Sequence, residues 1–106
     1  MEKKVTLYSI KSDDGDWFFL RAFMFPDGKL SLEGQDFSQL ALKIFGNEEH
    51  EYYYTFDVSN TNKLIKVFET DNLLESLVNF FNGEMLNKEF DEFCQKNDIK
   101  YDIHLP

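Results

Sequence analysis

The chain has 106 residues and a formal net charge of −9, from 20 Asp+Glu against 11 Lys+Arg. That length gives one domain, residues 1–106, and the acid excess excludes direct nucleic-acid binding through a positive surface. Aromatics make up 17%, among them 12 Phe, which excludes a disordered acidic tail and suffices for one core.

Val5 to Ile10 alternates β-branched, aromatic and polar residues and predicts a strand. Ser12 to Asp16 is a turn. Trp17 to Phe25 is the most hydrophobic stretch and predicts a second strand. Pro26-Asp27-Gly28-Lys29 carries tight-turn chemistry, with Pro fixing φ and Gly free to go left-handed. Leu30 to Gly34 returns as a third strand, and short turns join only antiparallel neighbours. Asp36 and Gln39 resemble a capping box, so the spacing of Leu40, Ala41, Ile44 and Phe45 predicts a helix over 37–45 ended by Gly46.

His50 to Val58 alternates strictly. His50, Tyr52, Tyr54, Phe56 and Val58 share one face, and Glu51, Tyr53, Thr55 and Asp57 the other. Three helices follow. The first is capped by Ser59 or Asn60 and carries Leu64, Val67 and Phe68 inward. The second is capped by Thr70 or Asp71, carries a stripe from Leu73 to Phe81, and ends at Gly83. The third runs from about Met85 to Gln95 with Leu86, Phe90, Phe93 and Cys94 inward. Residues 99–105 alternate again, as a closing strand or a packed tail. The order predicts an α+β fold: a three-stranded antiparallel meander plus a fourth strand, with a possible C-terminal fifth, and helices packed on one face.

The Trp17–Phe25 strand is apolar on both faces. It predicts a central strand buried on both sides, with Arg21 snorkelling or ion-paired. If helices cover only one face, the other becomes an exposed aromatic interface or a homodimer contact.

Chemistry-bearing patterns are sparse. Cys94 is the sole cysteine, so no intramolecular disulfide or cysteine zinc cluster forms, and a reducing compartment fits. His50 and His104 have no Cys or His at zinc-ligand spacing. Asp13-Asp14-Gly15-Asp16 lacks the bidentate Glu that ends a calcium loop. No glycine run cradles phosphate, so no metal, cofactor or catalytic residue is assigned and the chain reads as no enzyme. No stretch approaches the roughly 20 apolar residues of a membrane span or the shorter core of a signal peptide. A cytoplasmic protein with no membrane partner is expected.

Charge is uneven. Residues 1–46 hold 6 basic and 7 acidic side chains, whereas residues 47–106 hold 5 basic and 13 acidic. The cluster Glu48, Glu49, Glu51, with Tyr53 and Asp57 on the same strand face as Glu51, has the anatomy of an aromatic anchor ringed by like charges. Glu89, Asp91 and Glu92 form a second acidic run near the exposed face of the last helix. These eight are the candidate partner-binding residues.

Leu30-Ser31-Leu32-Glu33-Gly34-Gln35-Asp36 followed by Glu51-Tyr52-Tyr53-Tyr54 resembles a pattern in small bacterial proteins. The acidic, aromatic α+β type also resembles immunity proteins, the inhibitors that protect a cell from its own secreted toxin. That resemblance implies a protein partner with a basic surface: a cognate toxin, such as a nuclease, whose cleft the carboxylates would cover. A phage protein that mimics DNA charge to block a defence factor, and a homo-oligomeric module joined through the Trp17–Phe25 strand, are the alternatives.

Overall fold

Alternating strands joined by tight turns build the sheet. The computed structural model describes residues 3–13, 15–37 and 49–105. β1 (Lys3–Lys11), β2 (Trp17–Met24) and β3 (Leu30–Phe37) form the meander, and β4 (Glu49–Phe56) pairs antiparallel with β3. β5 (Asp102–His104) pairs antiparallel with β4, so the tail is a closing strand and the order is β1-β2-β3-β4-β5. Three helices lie between β4 and β5: α1 (Val58–Phe68), α2 (Leu73–Phe81) and α3 (Asn87–Lys96). The fold is α+β with an open antiparallel sheet.

The β2–β3 turn closes through Phe25 N–H to the Lys29 carbonyl at 3.0 Å, with Gly28 at φ +91. A side chain there would be strained, which is why glycine holds the position. β3 runs three residues past the expected Gly34. Asp36 therefore pairs with His50 in the sheet, and Phe37 is a strand residue level with Trp17. Ladder pairing with strands on both sides carries β3 through Asp36 to Phe37. The rest of the expected helix lies outside the described residues.

β1 carries a bulge between Thr6 and Tyr8. The extra residue, Leu7, switches the alternation, so Tyr8 and Ile10 join Val5 on the helix-covered face. Leu20, Ala22, Leu30, Leu32 and Phe56 line that face and are buried. Leu64 from α1, Leu77 and Phe81 from α2, and Phe90 and Cys94 from α3 pack onto them. Phe80 meets Phe68, Phe90 and Phe93 at centroid distances of 5.3–6.3 Å and ties the helices together. Val67, expected inward, is 38% exposed, because α1 turns Thr61 and Leu64 to the core.

Helix ends shift by a residue or two from expectation. Asp57 caps α1, its carboxylate accepting from Asn60 N–H at 2.9 Å, in place of Ser59 or Asn60. Asn72 caps α2 in place of Thr70 or Asp71. Asn82, in left-handed conformation at φ 51, ends α2 one residue before Gly83.

Gly34 faces the helices between Leu20 of β2 and Tyr52 of β4. The Tyr52 ring lies across it, and a Cβ at position 34 would stand 2.0 Å from Tyr52 Cζ. Only glycine lets the ring lie on the β3 backbone. Gly34→Ala is expected to lower unfolding free energy by about 1–3 kcal/mol, the usual cost of overpacking. In a Tyr52→Ala background the same change costs less, because the clash is gone. Urea unfolding of the four proteins measures this; equal costs in both backgrounds contradict the packing argument.

Candidate functional site

Pleating sends every second strand residue away from the helices. On that second face β1 presents Lys4, Thr6, Ser9 and Lys11, and β2 presents Trp17, Phe19, Arg21 and Phe23. β3 presents Ser31, Glu33, Gln35 and Phe37, and β4 presents Glu51, Tyr53 and Thr55. The Trp17 and Phe37 rings stack with centroids 5.3 Å apart and planes 14° apart, and Phe19 tilts against Trp17 at 5.0 Å. Trp17 Nε1 donates to Ser9 Oγ at 2.9 Å. The Arg21 guanidinium lies 4.6 Å from the centre of the Phe19 ring, and Lys11 Nζ lies 5.0 Å from that of Trp17. Ser9, Trp17, Phe19, Arg21 and Phe37, with Thr6 and Gln35, border a groove of about 370 Å³.

The strand expected to be buried on both sides is wholly buried at the centre of one face and, among the described residues, partly buried on the other. β2 is central and its Leu20–Ala22 face is fully buried. On the other face Phe19 is 7% exposed, but Trp17, Arg21, Phe23 and Phe37 are only half-buried. Among the described residues no helix packs there. The described ion pairs are Lys29–Asp27 and Lys63–Asp98, and Arg21 belongs to neither. Its Nε is buried without a hydrogen-bond partner. Among the described residues, stacking on Phe19 is the contact that holds this side chain.

The fold divides the predicted partner-binding residues. Glu51 and Tyr53 lie together on this second face. Glu51 Oε2 accepts from Tyr53 O–H at 3.1 Å, and Oε1 accepts from Gln35 Nε2 at 3.4 Å. Holding the Tyr53 proton on Glu51 pushes the phenol above its ordinary value. Glu49 opens β4 in the row of Phe37, and Glu48 lies outside the described residues. Asp57 leaves the sheet: β4 ends at Phe56, and the Asp57 carboxylate is held by Asn60 N–H and Nδ2, which lowers its pKa. Glu89 and Glu92 are exposed on α3. Asp91 is half-buried and accepts from Gln95 Nε2 at 2.8 Å and from Tyr101 O–H. Because α3 packs through Phe90 and Cys94, these three stand on the opposite side of the sheet from Glu51 and Tyr53.

The helix-covered side holds a polar cluster that periodicity alone does not reveal. Tyr8 O–H donates to Asn87 Oδ1 at 2.7 Å, and Asn87 Nδ2 donates to Tyr52 Oη at 3.1 Å. That leaves the Tyr52 hydroxyl to close the ring onto Tyr8 across 3.3 Å. Each hydroxyl thus gives and receives one bond, which is what buried phenols require. The signal in the sequence was tyrosine at the inward positions of β1 and β4, but the bulge that aims Tyr8 inward left no local mark. Burial raises the phenol pKa of Tyr8, Tyr52, Tyr54 and Tyr101 and keeps all four protonated. The cluster is therefore structural cement with no phenolate to act as a base.

Cys94 is fully buried, and burial pushes its thiol up to about 12. Such a thiol is a poor nucleophile. His104 is exposed on β5. Among the described residues no group of three or more His, Cys, Asp or Glu side chains is placed to hold a metal ion, and no helix is long and apolar enough to cross a membrane. A second groove, of about 570 Å³, lies where the β2–β3 turn, the start of α1 and β5 meet, and Lys29, Asp57, Lys100 and Asp102 border it. It mixes charges of both signs and holds no arrangement that singles out a ligand. Comparison with protein-family models, with curated proteins and with solved structures gives no match.

Asn87→Ala leaves the Tyr8 hydroxyl without its acceptor and is expected to cost about 1–3 kcal/mol in urea unfolding; a cost near zero removes the cluster from the stability argument. Raised phenol and thiol pKa values mean that folding favours the protonated forms. The associated stability is present below the unfolded values, about 8.5 for thiol and 10 for phenol, and is lost as pH rises through and above them. The urea midpoint is therefore expected to fall above about pH 9, and Cys94 to react with a thiol reagent at pH 8 only on unfolding.

Proposed function

We propose that the chain is a non-catalytic protein-binding domain, of the immunity type, that docks a toxin through the face of its sheet on which no described helix packs. The observation that carries this reading is the half-exposed Trp17–Phe37 stack beside Glu51 and Tyr53. Apolar surface left contiguous on a sheet is a usual mark of a docking site, and aromatic residues with Arg dominate such sites energetically. Glu33, Glu51 and the net charge of −9 favour a partner with a basic surface. The anchor is then the Trp17–Phe37 stack with Tyr53 at its acidic margin, and not Tyr53 alone.

The acids on α3 fall outside this footprint, because they face the other way. A DNA mimic would need its carboxylates in one continuous run, and among the described residues they are divided between two sides of the sheet.

The chain is used as bait in an extract of its native host, and the captured protein is assayed for its own activity with and without the chain. Wild type is expected to capture the partner and suppress its activity. Phe37→Asp and Glu51→Lys are expected to weaken capture at least tenfold, whereas Glu92→Lys on α3 leaves it unchanged. Capture that survives both sheet-face variants removes this face from the reading.

A further inference from the structure

The sheet is open, so it has two edge strands, and the sequence treats them differently. β1 carries Lys3, Lys4 and Lys11 and breaks its ladder with the Leu7 bulge. Edge lysines and bulges are the usual devices that keep a sheet from pairing with another chain. β5 has neither. Its three residues and the Leu105 that follows are all exposed, Ile103 at 57% and Leu105 at 63%. Among the described residues, Asp102 to Leu105 make no hydrogen bond or ion pair beyond the ladder with β4.

We propose that β5 pairs edge to edge with β5 of a second copy of the chain, antiparallel, about a two-fold axis that passes through Ile103 at right angles to the sheet. Two five-stranded sheets then run on as one. In an antiparallel ladder alternate residues turn both backbone groups to one side, so an edge strand holds unused donors and acceptors along its outer side. The proposal uses the edge of the sheet and neither of its faces, and it stands apart from the docking reading.

The axis fixes what meets. Ile103 opposes Ile103, and Asp102 of each copy opposes His104 of the other. Asp102 stands level with Thr55 and His104 with Tyr53, so both lie on the second face. There a carboxylate acceptor meets a ring that keeps at least one N–H donor in either charge state. Ile103 is level with Tyr54 on the helix side, and alternation places Leu105 on that side too. Leu105 of each copy then comes opposite Tyr101 of the other, whose ring packs on Tyr54 and Phe56. The segment Tyr101-Asp102-Ile103-His104-Leu105 is thus its own complement when reversed: apolar meets apolar, and acid meets imidazole.

This pattern selects a second copy as the occupant. Pairing of β5 with β1 of another copy would bring lysines and a bulge into the ladder and would propagate as an open chain. Pairing of β5 with itself is isologous and closes after two copies. The contact covers about five residues per copy, well under the roughly 800 Å² per partner of a standard interface, so the dimer is weak. Salt at about 0.15 M, with a Debye length of about 8 Å, screens the repulsion between two chains of net charge −9.

Sedimentation and amide-shift titration of the purified chain, from low micromolar to millimolar concentration at that salt, test this. Wild type is expected to move toward twice its 12.6 kDa chain mass, with concentration-dependent shifts centred on Asp102 to Leu105 and absent from β1. Ile103→Lys is expected to raise the dimer dissociation constant at least tenfold, as a lysine guards an edge. Because Ile103 is exposed, the urea midpoint of that variant is expected to match wild type. Asp102→His and His104→Asp each set like opposite like and weaken the dimer. The double variant restores it, because exchange of the two residues keeps each acid opposite a histidine.

A wild type that stays monomeric up to millimolar concentration, shifts confined to β1 or the helices, or a dimer that Ile103→Lys leaves intact overturns the proposal. A double variant that associates no better than either single change overturns the pairing about Ile103. If the edge takes a strand of another protein instead, wild type alone stays monomeric and Ile103→Lys abolishes capture from the extract, which overturns self-pairing. Capture that survives Phe37→Asp and Glu51→Lys removes the docking reading and leaves a measured β5 dimer standing.

Discussion

A five-stranded sheet has two faces, and the three described helices lie on one of them. Everything else in the molecule follows from that asymmetry. The covered face is a dry core in which Leu20, Ala22 and Leu32 are wholly buried under Leu64, Leu77 and Phe81. The other face must present whatever side chains the alternation places there. On β2 those are Trp17, Phe19, Arg21 and Phe23, residues large enough to cover one another. They stack on one another, and Phe19 is 7% exposed with no described helix over it.

Two local devices hold the covered face together. The Leu7 bulge turns Tyr8 inward, and the missing side chain at Gly34 lets the Tyr52 ring cross β3. Both phenols then reach Asn87 at the start of α3. This small hydrogen-bonded ring links the first strand, the fourth strand and the last helix. Because the partners lie 79 residues apart, the ring pins the chain's two ends to each other in the fold. Tyr101, bonded to Asp91, does the same for the tail that becomes β5. Loop closure over such distances is costly in entropy, and the aromatic packing around Phe56, Phe80 and Phe90 offsets it.

Electrostatics on this protein is a matter of placement more than of total charge. The acidic side chains read together along the sequence are separated in space. Glu51 is committed to Tyr53 and Gln35, Asp57 to the first turn of α1, and Asp91 to Tyr101 and Gln95. Carboxylates engaged in this way serve the fold first. On the second face, in a chain of net charge −9, Lys11 and Arg21 stand against the aromatic rings. A partner of that face therefore meets a border between two charge signs, with apolar rings along it.

The sequence by itself determined the class of fold, the meander and its turns, the alternation of β4 and the three later helices. These rest on short-range physics: side-chain period, glycine and proline at turns, and apolar spacing on helices. It did not determine the length of β3, because the ladder pairing that carries it to Phe37 comes from the neighbouring strands. Nor did it show which face of β2 is covered, since both are apolar and the pattern is the same in either case. The tertiary structure decided that by placing all three described helices on the Leu20–Ala22 side, and so made Trp17, Phe37 and Arg21 surface residues. It also separated Glu51 from Asp57 and from the α3 acids, because a side chain's neighbours in space depend on where its strand ends and which side its helix packs.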